Sequence, residues 1–424
     1  MTRSIPTALA AARAIADGSL TAEALVRACL DRIEAREPAV HAWQHLAAAE
    51  ALVEARALDR QAGGPLKGLP IGVKDIIDTA DMPTAYGSPI YAGHRPARDA
   101  SCVALARSAG AIILGKTVTT EFAYYHPGPT TNPHNAGHTP GGSSSGSAAS
   151  VADGMVPLAF GTQTAGSVVR PASFCGCVGY KPTFGLLDVT GVRPLAVSLD
   201  TLGVMAADVA DAAFFVSILT SRPTLRTDGH ALTPPRIGLC RTFEWPKAEA
   251  AMQAHLLASA EKLKRAGATL LDVTLPPPFE RLAAAQQIIM AFETARSLHP
   301  EMRTAPESVS PVMRAFAGEG AGLSVDDYDA AKELRAKGAA ALTEVFSNVD
   351  VVLTLSAPGE APLGLGATGD PIFNRIWTLL GLPCLNLPCG TGPQGLPMGV
   401  QFVGARDNDA RMLAAAAWSE HALK

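Results

Sequence analysis

The sequence predicts an α/β protein, a single large domain in which a mixed, twisted β-sheet is covered by helices on both faces. Three observations lead there. Stretches with helical apolar spacing alternate with short apolar runs set off by glycine and proline along most of the chain. With 39 glycines and 32 prolines but only 5% aromatic residues, the 424 residues are rich in tight connections, unlike a coiled coil or helical array. A balance of 48% hydrophobic to 17% charged residues belongs to a well-packed globular chain rather than a disordered one.

Residues 1–60 read as two or three helices, the second opening at Thr21 with Glu23 and Ala24 in its first turn. From Leu69 the rhythm changes to a strand, LPIGVKDII, then a helix over 99–109 with a glycine stop, then the strand AIILGKT. Residues 127–150, PGPTTNPHNAGHTPGGSSSGSAAS, have the composition of a flexible linker. They run into AASVADGMVPLAFGTQTAG, a helical run and a strand, without any compositional shift, so no domain boundary is expected there. Amphipathic helices at 249–266, 282–298 and 325–346 alternate with short strands such as RIGLC and DVVLTL. The end reads NRIWTLLGLPCLNLPCG, then LPMGVQFVG, then a helix from Asn408. One domain over 1–424 is expected, with N-terminal helices at 1–60, a catalytic core at 61–220, a helical and strand insert at 221–350 and a C-terminal sheet-and-helix segment at 351–424.

Several function classes are excluded. A formal charge of −4 without a basic block argues against a nucleic-acid partner. The N-terminal apolar pattern is broken by Arg13, Asp17 and Glu23, unlike a signal peptide, and no segment reaches the about 18 apolar residues of a spanning helix. Seven scattered cysteines with no CxxC pair support neither a disulfide scaffold nor a zinc ribbon, so the cytoplasm is the expected compartment. Cys175-Gly176-Cys177 reads as small core packing rather than a metal site, and Asp75, Asp78 and Asp81 as local caps or pairs. What remains is an enzyme or binding protein for a small molecule.

Three segments can carry chemistry. In GVKDII, Lys74 stands at the end of an apolar strand, where desolvation favours a neutral amine fit to shuttle protons; a lysine that snorkels outward or pairs with Asp75 is the plain alternative. The loop Gly141-Gly142-Ser143-Ser144-Ser145-Gly146 exposes donors and allows close backbone approach, but lacks the ending of a P-loop and by itself reads as a turn. In FGTQTAGSVVRP, the small residues before Ser167 let consecutive N–H groups face one hollow, as an oxyanion hole requires. No GxSxG elbow is present, and His126, His134 and His138 lack the context of a catalytic base. A lysine acting through a second serine meets the same need.

The run PGGSSSGSAA followed by GTQTAGSVVRPASFCGCVGYKPTFG resembles the amidase signature family. LKGLPIGVKDIIDT, AGAIILGKTVTTEFA and GLPCLNLPCGTGPQGLPMGVQFVG extend the likeness in family order over nearly the whole chain. The resemblance implies a Ser–cisSer–Lys triad without metal or organic cofactor. Its nucleophile falls on Ser167, the cis-peptide serine on Ser143 and the lysine on Lys74, with Thr162 in support and the backbone of Thr164, Ala165, Gly166 and Ser167 as the oxyanion hole. Many members carry Asp in place of Gln163 and Arg in place of Val169; here both are absent and Arg170 follows. This form resembles the malonamidase group, in which an arginine at the position of Arg170 holds the substrate carboxylate, and implies a malonamate-like amide and a homodimer. A structural ion pair with an acidic residue is the alternative for Arg170. Ala165 replaces a glycine of that group and fits if its φ is negative. Tyr124 and Tyr125 are candidates for the pocket wall, with ordinary packing as the rival. The other readings are the glutaminase-type subunit of a tRNA-dependent amidotransferase, usually a longer chain with partner subunits, a ureido or carbamoyl hydrolase, and a non-catalytic ligand-binding relative.

Overall fold

A computed structural model describes residues 5–229 and 232–424. Its strands, in chain order, are β1 Trp43–Leu46, β2 Pro70–Lys74, β3 Ile112–Thr117, β4 Leu158–Gln163, β5 Val178–Lys181, β6 Thr201–Ala206, β7 Arg236–Cys240, β8 Thr269–Val273, β9 Val351–Leu355, β10 Cys384–Thr391 and β11 Pro397–Val403. They form one mixed sheet in the order β1-β3-β2-β4-β6-β5-β10-β11-β9-β7-β8. Parallel pairs lie toward the two ends (β3-β2-β4 and β9-β7-β8), and antiparallel pairs run through the middle from β4 to β9. The fold is the predicted α/β domain.

Local signals set most of the elements. The Thr21 hydroxyl accepts from the Ala24 amide and opens the helix Ala22–Val40. A capping box between Ser324 and Asp327 starts the helix Val325–Asn348. Helices Ser101–Ser108, Ala250–Arg265, Leu282–Ser297 and Asp409–Leu423 fall where apolar periodicity puts them. The Gly/Ser-rich stretch is no linker. Every residue from His138 to Ser150 is buried, and its second half forms the helix Ser145–Ala152. Small residues serve close approach there: a Cβ on Gly146 would lie 2.2 Å from the Ala42 carbonyl oxygen.

Register places the site. Strand β2 runs parallel to β4 with Val73 opposite Phe160, so Lys74 at the end of β2 and Thr162 near the end of β4 reach the same edge of the sheet. Ligand sites of open α/β sheets lie at the carboxyl ends of parallel strands. Strand β6 runs antiparallel to β4 with Thr201 opposite Gln163, which brings Asp200 beside Thr164.

Candidate active site

Lys74 is 0% exposed. Its Nζ donates to Ser143 Oγ at 2.7 Å and to Thr162 Oγ1 at 2.7 Å. Desolvation lowers its pKa from 10.5 to about 7, opposed by the negative charge of Asp200. The neighbouring Asp75 pairs instead with Lys116, at 3.0 Å. Among the described residues no carboxylate forms an ion pair with Lys74, so the pairing alternative does not hold and the amine is free to exchange a proton with a hydroxyl.

The peptide between Gly142 and Ser143 is cis. Gly141, at φ +81°, turns the chain before it; a Cβ there would lie 2.8 Å from Pro171 Cα. Ser143 and Ser167 line one cavity together with Ala123, Tyr124, Tyr125, Thr164, Ala165, Arg170, Leu195, Met290 and Pro371.

The loop Thr164–Ser167 is held from behind. Gln163 Oε1 accepts from the amides of Val168 and Val169, at 2.9 and 3.1 Å, and its Nε2 donates to Thr378 Oγ1. Thr378 Oγ1 donates in turn to the Ala165 carbonyl at 2.6 Å. Gln286 Nε2 donates to the Thr164 carbonyl, and the Thr164 hydroxyl donates to Asp200. With its carbonyls tied back, the loop leaves the N–H groups of Ala165, Gly166 and Ser167 without an acceptor among the described residues. Ala165 keeps φ out of the left-handed region, so its methyl is tolerated. The neutral amide of Gln163 thus takes up the backbone donors without needing a partner charge.

Arg170 is 2% exposed. Its guanidinium donates to the carbonyls of Gly369 and Gly142 and to Thr368 Oγ1, while Nε has no partner among the described residues. Desolvation lowers its pKa. In place of the alternative ion pair with an acidic residue it holds backbone carbonyls, one of them the carbonyl of the cis peptide itself. Tyr125 links it to a second buried arginine: Arg170 Cζ stands 5.9 Å from the Tyr125 ring centroid, and Arg375 Nη2 donates to Tyr125 Oη at 3.1 Å. Arg375 also donates to Gln286 Oε1 and lies 3.6 Å from Asp370. Tyr124 lines the cavity and stacks on Phe316, ring centroids 4.3 Å apart. His134 and His138 bond to the carbonyls of Cys175 and Ala361, away from the serines.

Asp200, Gln286, Thr378 and Arg375 are not legible as site residues in the sequence. Only Asp200 leaves a trace, as an acid directly before the apolar strand TLGVMA.

The amidase family model matches residues 24–413, most of the chain. The chain belongs to the amidase family. It is 36% identical over an alignment of 464 residues to a glutamyl-tRNA(Gln) amidotransferase subunit of Chloroflexus aggregans, covering 96% of this chain and 94% of that protein, and 35% identical to the corresponding subunit of Oleidesulfovibrio alaskensis. Curated relatives of this amidase are thus amidotransferase subunits, whereas the sequence pointed to malonamidase. A crystal structure of an amidase superposes with a TM-score of 0.90 at 31% identity, over 98% of this chain and 99% of the other. Peptide amidase from Stenotrophomonas maltophilia superposes with a TM-score of 0.82 at 28% identity, over 98% and 96%. Among the described residues no helix is long and apolar enough to cross a membrane.

Proposed function

We propose that this amidase releases ammonia from a small primary amide that carries a carboxylate, through an acyl-enzyme on Ser167. The observation that carries the reading is the Lys74 amine, enclosed without a counter-ion among the described residues and 2.7 Å from Ser143 Oγ. A neutral amine takes the Ser143 proton, Ser143 takes the proton of Ser167, and the Ser167 oxygen attacks the amide carbonyl. The negative oxygen that forms is received by the loop N–H groups, each such donor being worth about 3 kcal/mol of barrier. Ser143 returns a proton to the departing nitrogen, ammonia leaves, and water then cleaves the ester through the same relay. Arg170 in the pocket wall supplies a cation suited to a carboxylate.

A second reading, the glutaminase-type subunit of an amidotransferase, is favoured by the names of the curated relatives, of which this chain covers 94%. The alignment of 464 residues exceeds this chain's 424, so those relatives carry segments that it lacks. Both readings need ammonia released from a carboxylate-bearing amide. Ammonia release from malonamate, glutamine and propionamide, by wild type and by Ser167→Ala, tests the common core, and wild type no faster than Ser167→Ala on all three refutes it. Loss of the malonamate preference in Arg170→Ala, by about 1.5–3 kcal/mol for one charged contact, assigns that residue to the substrate. An unchanged preference leaves it the support of the Gly142 carbonyl. Activity on glutamine appearing only with a copurified partner favours the subunit.

A further inference from the structure

We propose that Asp200 is a positioning residue of the amidase reaction: one carboxylate fixes Thr164 at the start of the oxyanion loop and Leu195 in the pocket wall, and sets its negative charge toward the Lys74 amine. This rests on the reading of Lys74 as the base.

The geometry comes from three elements. The antiparallel register of β4 and β6 brings Asp200 beside Thr164, whose hydroxyl donates to Oδ1 at 2.5 Å. The other oxygen, Oδ2, accepts from the amides of Leu195 and Ala196, at 2.8 and 3.0 Å. Leu195 lines the cavity that holds both serines. One side chain therefore ties the loop that receives the oxyanion to Leu195 in the wall of the same cavity. Part of Asp200 as a residue reaches the surface, but its carboxylate is enclosed, and burial pushes its pKa up to about 6. The groups facing it are the Thr164 hydroxyl, the two amides of its own turn, the charge of Lys74 from β2 and that of Glu293 from the helix Leu282–Ser297.

The charge has a role that hydrogen bonding alone lacks. When Lys74 takes up a proton, an ammonium forms whose hydrogen-bond partners among the described residues are Ser143 and Thr162, and neither carries a charge. Such an ion is costly to hold in a desolvated site unless an opposite charge lies within reach. Among the described residues Asp200 is the one whose charge raises the proton affinity of Lys74. Asp200 thereby favours the protonated relay formed during attack, as an acid behind a catalytic base does. A carboxylate that only braced a loop would do none of this.

The test is the pH dependence of acylation, read as the burst of p-nitrophenol from p-nitrophenyl acetate, a probe that needs no knowledge of the natural amide. In Asp200→Asn, which keeps one acceptor and removes the charge, the burst rate is expected to fall at least tenfold and the midpoint of its rising limb to move to lower pH. Thr164→Val removes the loop contact and leaves the carboxylate in place. Its rate is expected to fall, with Thr164→Ser restoring the rate. A midpoint in Asp200→Asn equal to that of wild type overturns the electrostatic part. A wild-type rate in Thr164→Val overturns the brace, and that variant serves even if Asp200→Asn does not fold. A wild-type enzyme with no rising limb overturns the lysine relay and this inference with it, whereas a failure confined to the Asp200 and Thr164 variants leaves the relay standing.

Discussion

Replacing Lys74 by methionine separates what the buried amine does for the reaction from what it does to the fold. Lowering the pKa from 10.5 to about 7 means that the folded state disfavours the charged amine. At about 1.36 kcal/mol per unit this costs about 4 kcal/mol of stability at pH 7 relative to a group that does not titrate. Methionine removes that cost, but forfeits the hydrogen bonds to Ser143 and Thr162, worth about 1 kcal/mol each. The variant should then be more stable than wild type at pH 7 by about 2 kcal/mol. With an unfolding entropy of about 2 cal/mol/K per residue, a chain of 424 residues converts this to about 2 °C in Tm. The sign with pH follows from proton counting. Between about 7 and 10.5 the unfolded chain holds the proton and the folded one does not, so wild type gains stability as pH rises and the advantage of Lys74→Met shrinks. Activity moves the other way: without the base, ammonia release should drop by about 100- to 10,000-fold. Thermal melts of both proteins at pH 6, 7, 8 and 9, beside ammonia assays, check both halves. A variant less stable than wild type at every pH, with a difference that does not vary, refutes the account of an enclosed, largely neutral amine.

Three further outcomes are expected. In wild type the rate of ammonia release should rise with pH through about 7, as Lys74 loses its proton; a profile flat from pH 5 to 9 contradicts the relay. Gly166→Ala places a Cβ 2.3 Å from Asn374 Oδ1 and 2.7 Å from Pro371 Cβ, so the loop must shift and kcat should fall by about 100-fold, the scale of one lost oxyanion donor, which steady-state assays would register. Gln163→Ala strands the amides of Val168 and Val169, and should cost about 1–3 kcal/mol in urea unfolding.

Much of the fold can be read from the chain because its signals are local. Thr21 and Asn408 mark helix starts, Gly110 at φ +97° ends a helix, and the apolar runs of β2, β3 and β4 are bounded by glycine and proline. The edge strands β1 and β8 escape such reading, since WQHL carries polar Gln44 and His45 and TLLDV is largely exposed, so neither shows the apolar run of a central strand. The helix Pro311–Gly322 does carry a legible start, a Ser310 cap and a proline in the first turn, although apolar periodicity alone does not single it out.

The sequence by itself determined which residue types stand in the two glycine-serine segments and at the end of β2, because those motifs need only their own neighbours. Tertiary structure decided which cation serves which partner. Asp75 follows Lys74 in the chain, just beyond the end of β2, yet pairs with Lys116 of β3. It also decided that Arg170 grips backbone carbonyls, and that Asp200 reaches Thr164 across 36 residues of chain. Those contacts follow from sheet register and long-range burial, which no local pattern encodes.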